Sequence, residues 1–226
     1  MSERHDDLPI DPLWGKLYPL GLKKGDRRKA EIVEAVVLQT AESGIESLSF
    51  EMIGQRTQMT KSQVLYHVGS RDDMICKSFE YILYHAQQNV IEQLTRSKPG
   101  LERLLAYIRG HFEWVLQKPE QLKFYIQALG YATHHLPMRE IGDKARDGGR
   151  ERIQGILQDS DLKMGPQKIK MWAQLFHDQL TGNLIHLISS NGISSPRVIE
   201  ADRDALMLSM RYAWRTMTDR RQSDSR

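Results

Sequence analysis

The sequence contains a single cysteine, Cys76, among its 226 residues. One cysteine cannot form an intrachain disulfide, and a metal site built from several cysteine ligands is also excluded. No apolar run approaches the ~18 residues that a membrane-spanning helix requires. The first residues, MSERHDDLPID, are acidic and precede no apolar run, so no secretory signal is predicted. We therefore expect a cytoplasmic protein with no membrane partner.

Neither sign of charge dominates the chain. Lys and Arg total 32, Asp and Glu total 29, and the formal net charge is +3. A balance this small excludes a nonspecific polycation, so any binding of nucleic acid must come from a local basic patch. The length corresponds to one large domain or two small ones, which is enough for a hydrophobic core without disulfides.

Runs of β-branched residues between turns are missing, and the periodicity between prolines and glycines is helical. We predict an all-α protein of nine helices, with an N-terminal arm over 1–25 and a C-terminal tail over 220–226. The predicted helices are 26–43, 49–57, 60–68, 70 to near 99, 101–117, 119–135, 137–158, 166–190 and 196–219. Thr60 and Gln63 fit a capping box at the start of the third helix.

Two short helices within 49–68 are separated by the joint Gln58-Met59-Thr60, which is the spacing of a helix-turn-helix. Phe50 or Ile53 on the first short helix, and Met59 and Val64 around the second, are expected to face inward. The second short helix is expected to present a polar face to the major groove. This face carries residue types that bind bases or phosphate oxygens, namely Lys61, Ser62, Gln63, Tyr66 and His67. Spacing alone leaves an ordinary helical corner with a solvated polar face as the alternative.

The segment from Lys29 to Met74 resembles the DNA-binding domain of the TetR family of bacterial transcriptional regulators. The matching residues are Ile32-Val33 with Ala35, Glu42-Ser43-Gly44, Ser49 with Ile53, Met59-Thr60-Lys61, Tyr66-His67 and Ser70-Arg71-Asp72-Asp73-Met74. Their order and spacing fit without gaps, and nine helices also fit this family. The resemblance implies a three-helix DNA-binding domain over 26–72 and a helical ligand-binding and dimerisation domain over 73–219.

Five positions depart from the pattern of this family. The family usually has glycine where Gln58 stands, alanine at Gly54, tyrosine at Leu65, phenylalanine at Val68 and lysine at Arg71. Gln58 is expected to cost about 1 kcal/mol in a left-handed backbone, or to change the turn. Arg71 keeps the positive charge that the family uses on phosphate. The departures therefore concern the base contacts more than the fold.

The predicted DNA-binding set combines the end of the arm, the helix caps and the second short helix. It comprises Lys23, Lys24, Arg27, Arg28, Ser49, Thr60, Lys61, Ser62, Gln63, Tyr66, His67 and Arg71. The basic cluster over 23–29 is expected to follow phosphates or the minor groove, although a solvated linker has the same composition. A two-fold dimer predicts a palindromic operator with half-sites about one helical turn apart.

The last two predicted helices carry apolar side chains on more than one face, so each of them needs two partners. One partner is the core of the same chain and the other is a second subunit, with burial of both faces in a monomer core as the alternative. The predicted dimer interface comprises Leu180, Gly182, Leu184, Leu187, Leu206, Met210, Ala213 and Met217.

Aromatic and polar residues of the middle helices predict a ligand pocket, with ordinary core packing as the alternative. The predicted set is Tyr107, His111, Trp114, Phe124, Gln127, Tyr131, Trp172, Phe176 and His177. This mixture favours a small apolar or aromatic ligand over a highly charged one. Four glycines in 137–158 weaken that helix by about 4 kcal/mol relative to alanine, which predicts a broken or mobile element that gates the pocket.

The histidines do not have the spacing of a metal site. His134 and His135 are adjacent, and His177 and His186 are nine residues apart, so neither pair matches the i, i+4 spacing of two ligands on one helix. No metal and no cofactor are expected. No nucleophile has a base at a suitable helical spacing, so we do not expect an enzyme.

The sequence therefore favours a homodimeric transcriptional repressor that a small molecule releases from its operator. Activation in place of repression fits the same residues. The alternative is a TetR-like protein that acts without a ligand or mainly through a protein partner.

Overall fold

The computed structural model describes residues 24–160 and 162–219, and all of their side chains except those of residues 24–26 and 219. Over these residues the chain forms nine α-helices, two short 3-10 helices and no strand, which confirms the predicted all-α class. The α-helices are α1 (Lys24–Ser43), α2 (Phe50–Thr57), α3 (Lys61–Val68), α4 (Arg71–Thr95), α5 (Leu101–Gln117), α6 (Pro119–Ala132), α7 (Leu136–Gln158), α8 (Pro166–Ser189) and α9 (Pro196–Asp219). The 3-10 helices Ile45–Ser47 and Gly192–Ser194 follow α1 and α8. The predicted tail and the arm before residue 24 lie outside the described residues.

The end of α6 differs from its predicted position at residue 135. This helix ends at Ala132, and the next helix begins at Leu136. The Nδ1 atom of His135 accepts a hydrogen bond of 3.2 Å from the backbone N–H of Met138. His135 therefore satisfies one of the free donors at the start of α7 instead of extending α6.

The glycine-rich helix α7 is continuous from Leu136 to Gln158, so the predicted break is wrong, while the predicted mobility and gating stay predictions. One of its glycines has a packing reason. A Cβ atom on Gly149 would lie 2.7 Å from the ring of His177 and 3.0 Å from the hydroxyl oxygen of Tyr107. Glycine at this position lets the backbone of α7 approach both side chains.

The described chain divides into two compact units. The first unit comprises 24–84 and 123–143, and the second comprises 85–122 and 144–219 without residue 161. Large fully buried side chains of the first unit include Ile32, Ile53, Met74, Ile75, Phe79, Ile82 and Phe124. Those of the second unit include Leu104, Tyr107, Ile108, Phe112 and Phe176. The first unit is therefore larger than the predicted DNA-binding domain over 26–72, since it includes the end of α6 and the start of α7.

Among the described helices, none has the length together with the apolar character that crossing a membrane requires.

Candidate nucleic-acid interface and ligand pocket

Helices α2 and α3 form the predicted helix-turn-helix in the first unit. Ser49 caps α2, because its hydroxyl accepts a hydrogen bond of 3.2 Å from the backbone N–H of Met52. Ile53 on α2 and Val64 on α3 are both fully buried, as predicted. Burial of these apolar side chains fixes the two helices on α1 and leaves the opposite side of α3 exposed.

Helix α3 is held at both ends. At its start, the hydroxyl of Thr60 accepts from the backbone N–H of Gln63 at 3.2 Å, and Oε1 of Gln63 accepts from the backbone N–H of Thr60 at 2.8 Å. At its end, the ammonium of Lys77 donates to the carbonyl of Val68 at 2.6 Å. The predicted capping box is confirmed, and an eight-residue helix fixed in this way presents its outer face without fraying.

The outer face of α3 is polar at its start and aromatic near its end. Tyr66 is 85% exposed and Leu65 is 45% exposed, while His67 is half-buried with its ring edge-on to Tyr66 at 5.3 Å. Lys61 forms an exposed ion pair of 2.7 Å with Glu51 on α2. Exposed pairs of this kind contribute at most about 1 kcal/mol, so Lys61 remains free to exchange its carboxylate for a phosphate.

Gln63 has two roles that compete for one side chain. Its Oε1 atom is already used in the capping box, whereas a bidentate contact with adenine needs both the oxygen and the amide nitrogen. Sequence reasoning identified each role separately but not their conflict. To contact a base with both atoms, Gln63 has to give up its hydrogen bond to the N–H of Thr60.

Arg71 at the start of α4 points towards the segment between α1 and α2, within the first unit. Its Nε donates to the carbonyl of Leu48 at 3.1 Å, and one terminal nitrogen donates to the carbonyl of Ile45 at 2.7 Å. The guanidinium therefore ties α4 to the turn that follows α1. This structural role was not predicted, and the phosphate contact of Arg71 stays a prediction.

The basic residues at the start of α1 are only partly described. Arg27 and Arg28 are exposed, and Arg28 pairs with Glu31 at 2.6 Å on the same helix. Lys24 is the first residue of α1, but its side chain lies outside the described part, and so does the whole of Lys23. Their contacts with DNA stay predictions.

The joint between α2 and α3 contains the expected left-handed residue. Gln58 has φ 55° and ψ 38°, the conformation for which the resemblance predicts glycine. An L-residue there is strained by roughly 1 kcal/mol, and the turn is formed nonetheless. Gln58 therefore keeps the geometry of the joint at a cost in stability.

The predicted ligand-binding residues fall into both units. Tyr107, His111, Trp114, Trp172, Phe176 and His177 lie in the second unit, and Phe124, Gln127 and Tyr131 lie in the first. In the second unit, the Nε1–H of Trp114 donates to Oε1 of Gln121 at 2.6 Å, and both side chains are buried. Trp114 is therefore part of a satisfied core pair.

Polar groups meet around Gly149 in the second unit. The ring of His111 lies 4.7 Å from the ring of Tyr107. Nδ1 of His111 is also 2.9 Å from the backbone carbonyl oxygen of Tyr107. Burial, together with the nearby charges of His177 and Arg152, lowers the pKa of His111 to about 4. Burial followed by the charge of Arg150 also lowers the pKa of His177. Both imidazoles are therefore neutral at physiological pH.

The three predicted ligand residues of the first unit have other partners. Oε1 of Gln127 accepts from the backbone N–H of Ile45 at 2.8 Å, and its Nε2 donates to the carbonyl of Thr40 at 3.0 Å. The hydroxyl of Tyr131 donates to Asp72 at 2.5 Å, and burial together with this bond raises its pKa to about 12. Phe124 is fully buried. The end of α6 is thereby bonded to α1, to the first 3-10 helix and to α4.

The last two helices, α8 and α9, each have a buried and an exposed apolar face. Five residues of the predicted interface lie in the core of their own chain, at 5% exposure or less: Leu180, Leu184, Leu187, Leu206 and Met210. Gly182 is exposed, and Ala213 and Met217 are half-exposed. The exposed apolar face is carried mainly by residues that sequence reasoning did not assign to the interface: Met171, Leu175, Ile185, Leu208 and Tyr212.

Within the described residues, no cluster of three or more His, Cys, Asp or Glu side chains could hold a metal ion. Cys76 is half-buried, and burial followed by the charge of Glu80 raises the pKa of its thiol to about 11. A thiol with this pKa stays protonated at neutral pH, so it is a poor nucleophile and a poor metal ligand.

The fold is shared with solved transcriptional regulators. No protein-family model matches the sequence, and no curated protein matches it. A transcriptional regulator from Rhodococcus sp. RHA1 superimposes with a TM-score of 0.69 at 16% identity, covering 80% of this chain and 95% of the other. A TetR-like regulator from the same organism has a TM-score of 0.65 at 16% identity, covering 87% and 98%. A regulator from Saccharomonospora viridis in complex with choline has a TM-score of 0.65 at 16% identity, covering 80% and 93%. This chain therefore has the fold of TetR-family transcriptional regulators.

Proposed function

We propose that this protein is a cytoplasmic transcriptional regulator of the TetR family, most simply a homodimeric repressor that a small apolar or aromatic ligand releases from DNA. The observation that carries the proposal is the fully formed helix-turn-helix with its exposed recognition helix. Capping at Thr60 and the bond from Lys77 to Val68 hold α3 in place. No enzymatic activity is part of the proposal.

The exposed side of α3 supports sequence-specific contact with a major groove. Lys61, Ser62 and Gln63 at its start are exposed and carry donors and acceptors for bases and phosphates. Tyr66, at 85% exposure, reaches furthest into solvent and suits a phosphate oxygen. Leu65 stands where the family usually has tyrosine, so an apolar side chain takes the place of a polar one. An apolar side chain of this kind suits contact with the methyl group of a thymine.

The exposed apolar face of α8 and α9 supports the dimer. Met171 and Leu175 on α8 are 56% and 52% exposed, and Leu208 and Tyr212 on α9 are 53% and 60% exposed. Each pair is four residues apart and therefore lies on one side of its helix. The two helices pack against each other, and exposed apolar side chains on both of them are the usual mark of an interface. In this proposal a second copy of the chain covers them with two-fold symmetry.

The dimer is tested by Leu175→Glu and Leu208→Glu, with mass measured by light scattering during gel filtration. We expect either variant to elute as a folded monomer. Leu136→Glu is the matched control, because Leu136 is a 61% exposed leucine on α7 in the first unit. A dimer that persists in both variants, or that is lost in the control, contradicts this interface.

Release of DNA follows from the position of α6. Residues 119–122 of this helix belong to the second unit and 123–132 belong to the first, where Gln127 and Tyr131 bond α1, the first 3-10 helix and the start of α4, next to the helix-turn-helix. A ligand that shifts α6 acts on the helix-turn-helix through these bonds. The ligand then favours a state in which the two recognition helices of the dimer no longer match the operator.

The function as a whole is tested by selection from random DNA with the full-length protein at about 0.15 M salt, where nonspecific binding is weak. We expect an enriched palindrome with half-sites about one turn apart. Enrichment should vanish when Lys61, Ser62 and Tyr66 are all replaced by alanine, while thermal stability is retained. Failure to enrich any site with folded, dimeric protein rejects the proposal and favours the alternative, in which the exposed Leu65 and Tyr66 contact a protein partner.

A further inference from the structure

Arg152 carries a positive charge in the second unit without a carboxylate partner among the described residues. Its hydrogen bond to Oε1 of Gln87 is long, at 3.5 Å, and its Nε is buried with no partner. Arg150, two residues earlier on α7, is instead paired with Asp178 at 2.9 Å. A partly buried guanidinium without a counterion is unfavourable, so the protein alone leaves this charge unbalanced.

His111 lies close to this charge. The positive charge of Arg152 is one of the causes that lower the pKa of His111. Both residues also lie near the place where the backbone of Gly149 approaches the hydroxyl of Tyr107. Arg152 follows Gly149 by three residues on α7, and His111 follows Tyr107 by four residues on α5, so each lies one turn away from that contact. The two helices thus bring a guanidinium and an imidazole to the same place.

One ring nitrogen of His111 is left with a free lone pair. Its Nδ1 lies 2.9 Å from the carbonyl of Tyr107 and carries the proton, which leaves a lone pair on Nε2. His111 is strongly desolvated, yet it retains accessible surface. Nδ1 of His177 is buried without a hydrogen bond, and Oδ1 of Asp178, the carboxylate that pairs with Arg150, lies 3.7 Å from it.

The surroundings of these polar groups are aromatic. Tyr107 packs on the ring of His111, and Trp172 packs on Phe176 at 5.4 Å on the helix that also carries His177. A cluster with one cation that lacks a counterion, neutral imidazoles and aromatic neighbours favours a ligand with one anionic group and an apolar body.

We propose that this cluster binds the carboxylate of an apolar organic acid, with Arg152 as its charged partner and His111 as a second donor. The proposal rests on the proposed function, in which the second unit holds the effector. The guanidinium donates to the carboxylate directly. The imidazole of His111 takes up one proton from solvent and then donates from Nε2, so one proton is bound for each carboxylate that enters. A phosphate dianion fits less well, because only one unpaired guanidinium is present to balance it.

The test compares acids with amides of the same skeleton on the full-length protein. The probe pairs are 3-phenylpropionate with 3-phenylpropionamide, indole-3-acetate with indole-3-acetamide, and octanoate with octanamide. We expect at least one acid to raise the unfolding midpoint by about 5 to 10 °C at roughly 100 times its Kd, and its amide to leave the midpoint unchanged. Equal shifts from an acid and its amide, or no shift from any of the three acids, overturn the proposal.

Two variants assign the effect to Arg152. Arg152→Gln should weaken binding of the active acid about 10- to 100-fold, because a charged hydrogen bond is lost. Lys144→Gln is the control, since Lys144 is an exposed cation on the same helix in the second unit, and this variant should bind the acid as the wild type does. Binding that survives in Arg152→Gln contradicts the assignment.

A third variant needs no ligand. If Arg152 is an unbalanced charge, Arg152→Met should raise the unfolding midpoint of the ligand-free protein, because an apolar side chain of similar length removes that charge. A lower midpoint would show that Arg152 is already satisfied within the protein.

Proton uptake by His111 gives an independent signature. Affinity for the active acid should rise as the pH falls from 8 to 6, since the bound carboxylate raises the pKa of the imidazole. The same pH change should have no effect in His111→Gln. A pH-independent affinity in the wild type contradicts the role given to His111.

Operator selection without ligand separates this inference from the proposed function. If the protein selects an operator but binds none of the three acids, the proposed DNA-binding function stands and this site is rejected. If the protein binds an acid through Arg152 but selects no operator, this site stands and the proposed DNA-binding function is rejected.

Discussion

The carbonyl oxygen of Met59 lies 2.5 Å from the position that a Cβ atom on Gly54 would occupy. The N–H of Met59 also donates to the carbonyl of Gly54 at 2.8 Å, so the joint folds back directly onto α2. Only glycine leaves room for this contact. The glycine that the TetR family usually has in the joint is here replaced by Gln58, and a glycine that the family usually lacks stands inside the helix.

Gly54→Ala is expected to destabilise the protein by about 1 to 3 kcal/mol, because the added methyl group collides with backbone that cannot move aside cheaply. Urea unfolding followed by circular dichroism measures the change. Gly148→Ala on α7 is the control, since a Cβ there meets no atom within 4 Å. Alanine at that helical position should stabilise by about 0.5 to 1 kcal/mol. Equal effects of the two substitutions would contradict the steric argument.

Gln58→Gly should stabilise the protein by about 0.5 to 1 kcal/mol, since φ 55° is strained for glutamine and free for glycine. The same urea titration detects the gain. A loss of stability would mean that the Gln58 side chain contributes more than its backbone strain costs.

Gln63→Glu separates the two roles of Gln63. Glutamate keeps the capping box, so the melting temperature should change little, whereas it accepts from cytosine and cannot pair with adenine. We expect the selected operator to change at one position of each half-site. Gln63→Ala should instead lower stability by about 1 kcal/mol through loss of the cap. An unchanged operator in Gln63→Glu rules out base contact by this residue.

Arg71→Gln is expected to lower stability by about 1 to 2 kcal/mol, because an uncharged amide cannot reproduce both bonds to the carbonyls of Ile45 and Leu48. The slope of log affinity against log salt should stay that of the wild type. Arg27→Gln, at an exposed position, should do the opposite and reduce the slope by about 0.9 per half-site. A reduced slope in Arg71→Gln with full stability would favour a phosphate contact.

The buried His111 makes stability depend on pH. Its pKa in the folded protein is about 4, below the 6.5 of the unfolded chain, so protonation favours unfolding. Stability is fully present above pH 6.5 and falls as the pH drops towards 4. Between pH 8 and pH 5 the loss is expected to be about 2 kcal/mol. Urea titrations at the two pH values should show it in the wild type and in the exposed-site control His134→Gln, but not in His111→Gln.

Local features of this protein were predictable from its sequence. The capping box joins Thr60 to Gln63, three residues apart, and the caps at Ser49 and Ser70 involve equally short spans. Each of these depends on the type and spacing of neighbouring residues. The same holds for the burial of Ile53 and Val64, which follows from their place opposite the polar face.

Features that depend on distant parts of the chain were not predictable. The bond from Ile45 to Gln127 spans 82 residues, so the sequence placed Gln127 in a pocket by residue type alone. Leu175 and Leu180 have equal hydrophobicity on one helix, and only packing shows that the first is exposed and the second buried. The unbalanced charge of Arg152 is likewise visible only once its surroundings are known.

The hydrogen bonds of Gln127 determine which residues must accompany the proposed DNA-binding helices when they are moved into another protein. A fragment cut after residue 72 or 84 would lose the partner of the Ile45 N–H and of the Thr40 carbonyl, together with the tyrosine that holds Asp72. A chimaeric regulator that borrows the recognition helix must therefore also carry 123–143, a stretch far along the chain. Exchange of specificity between regulators of this fold is then a matter of grafting two separate segments together.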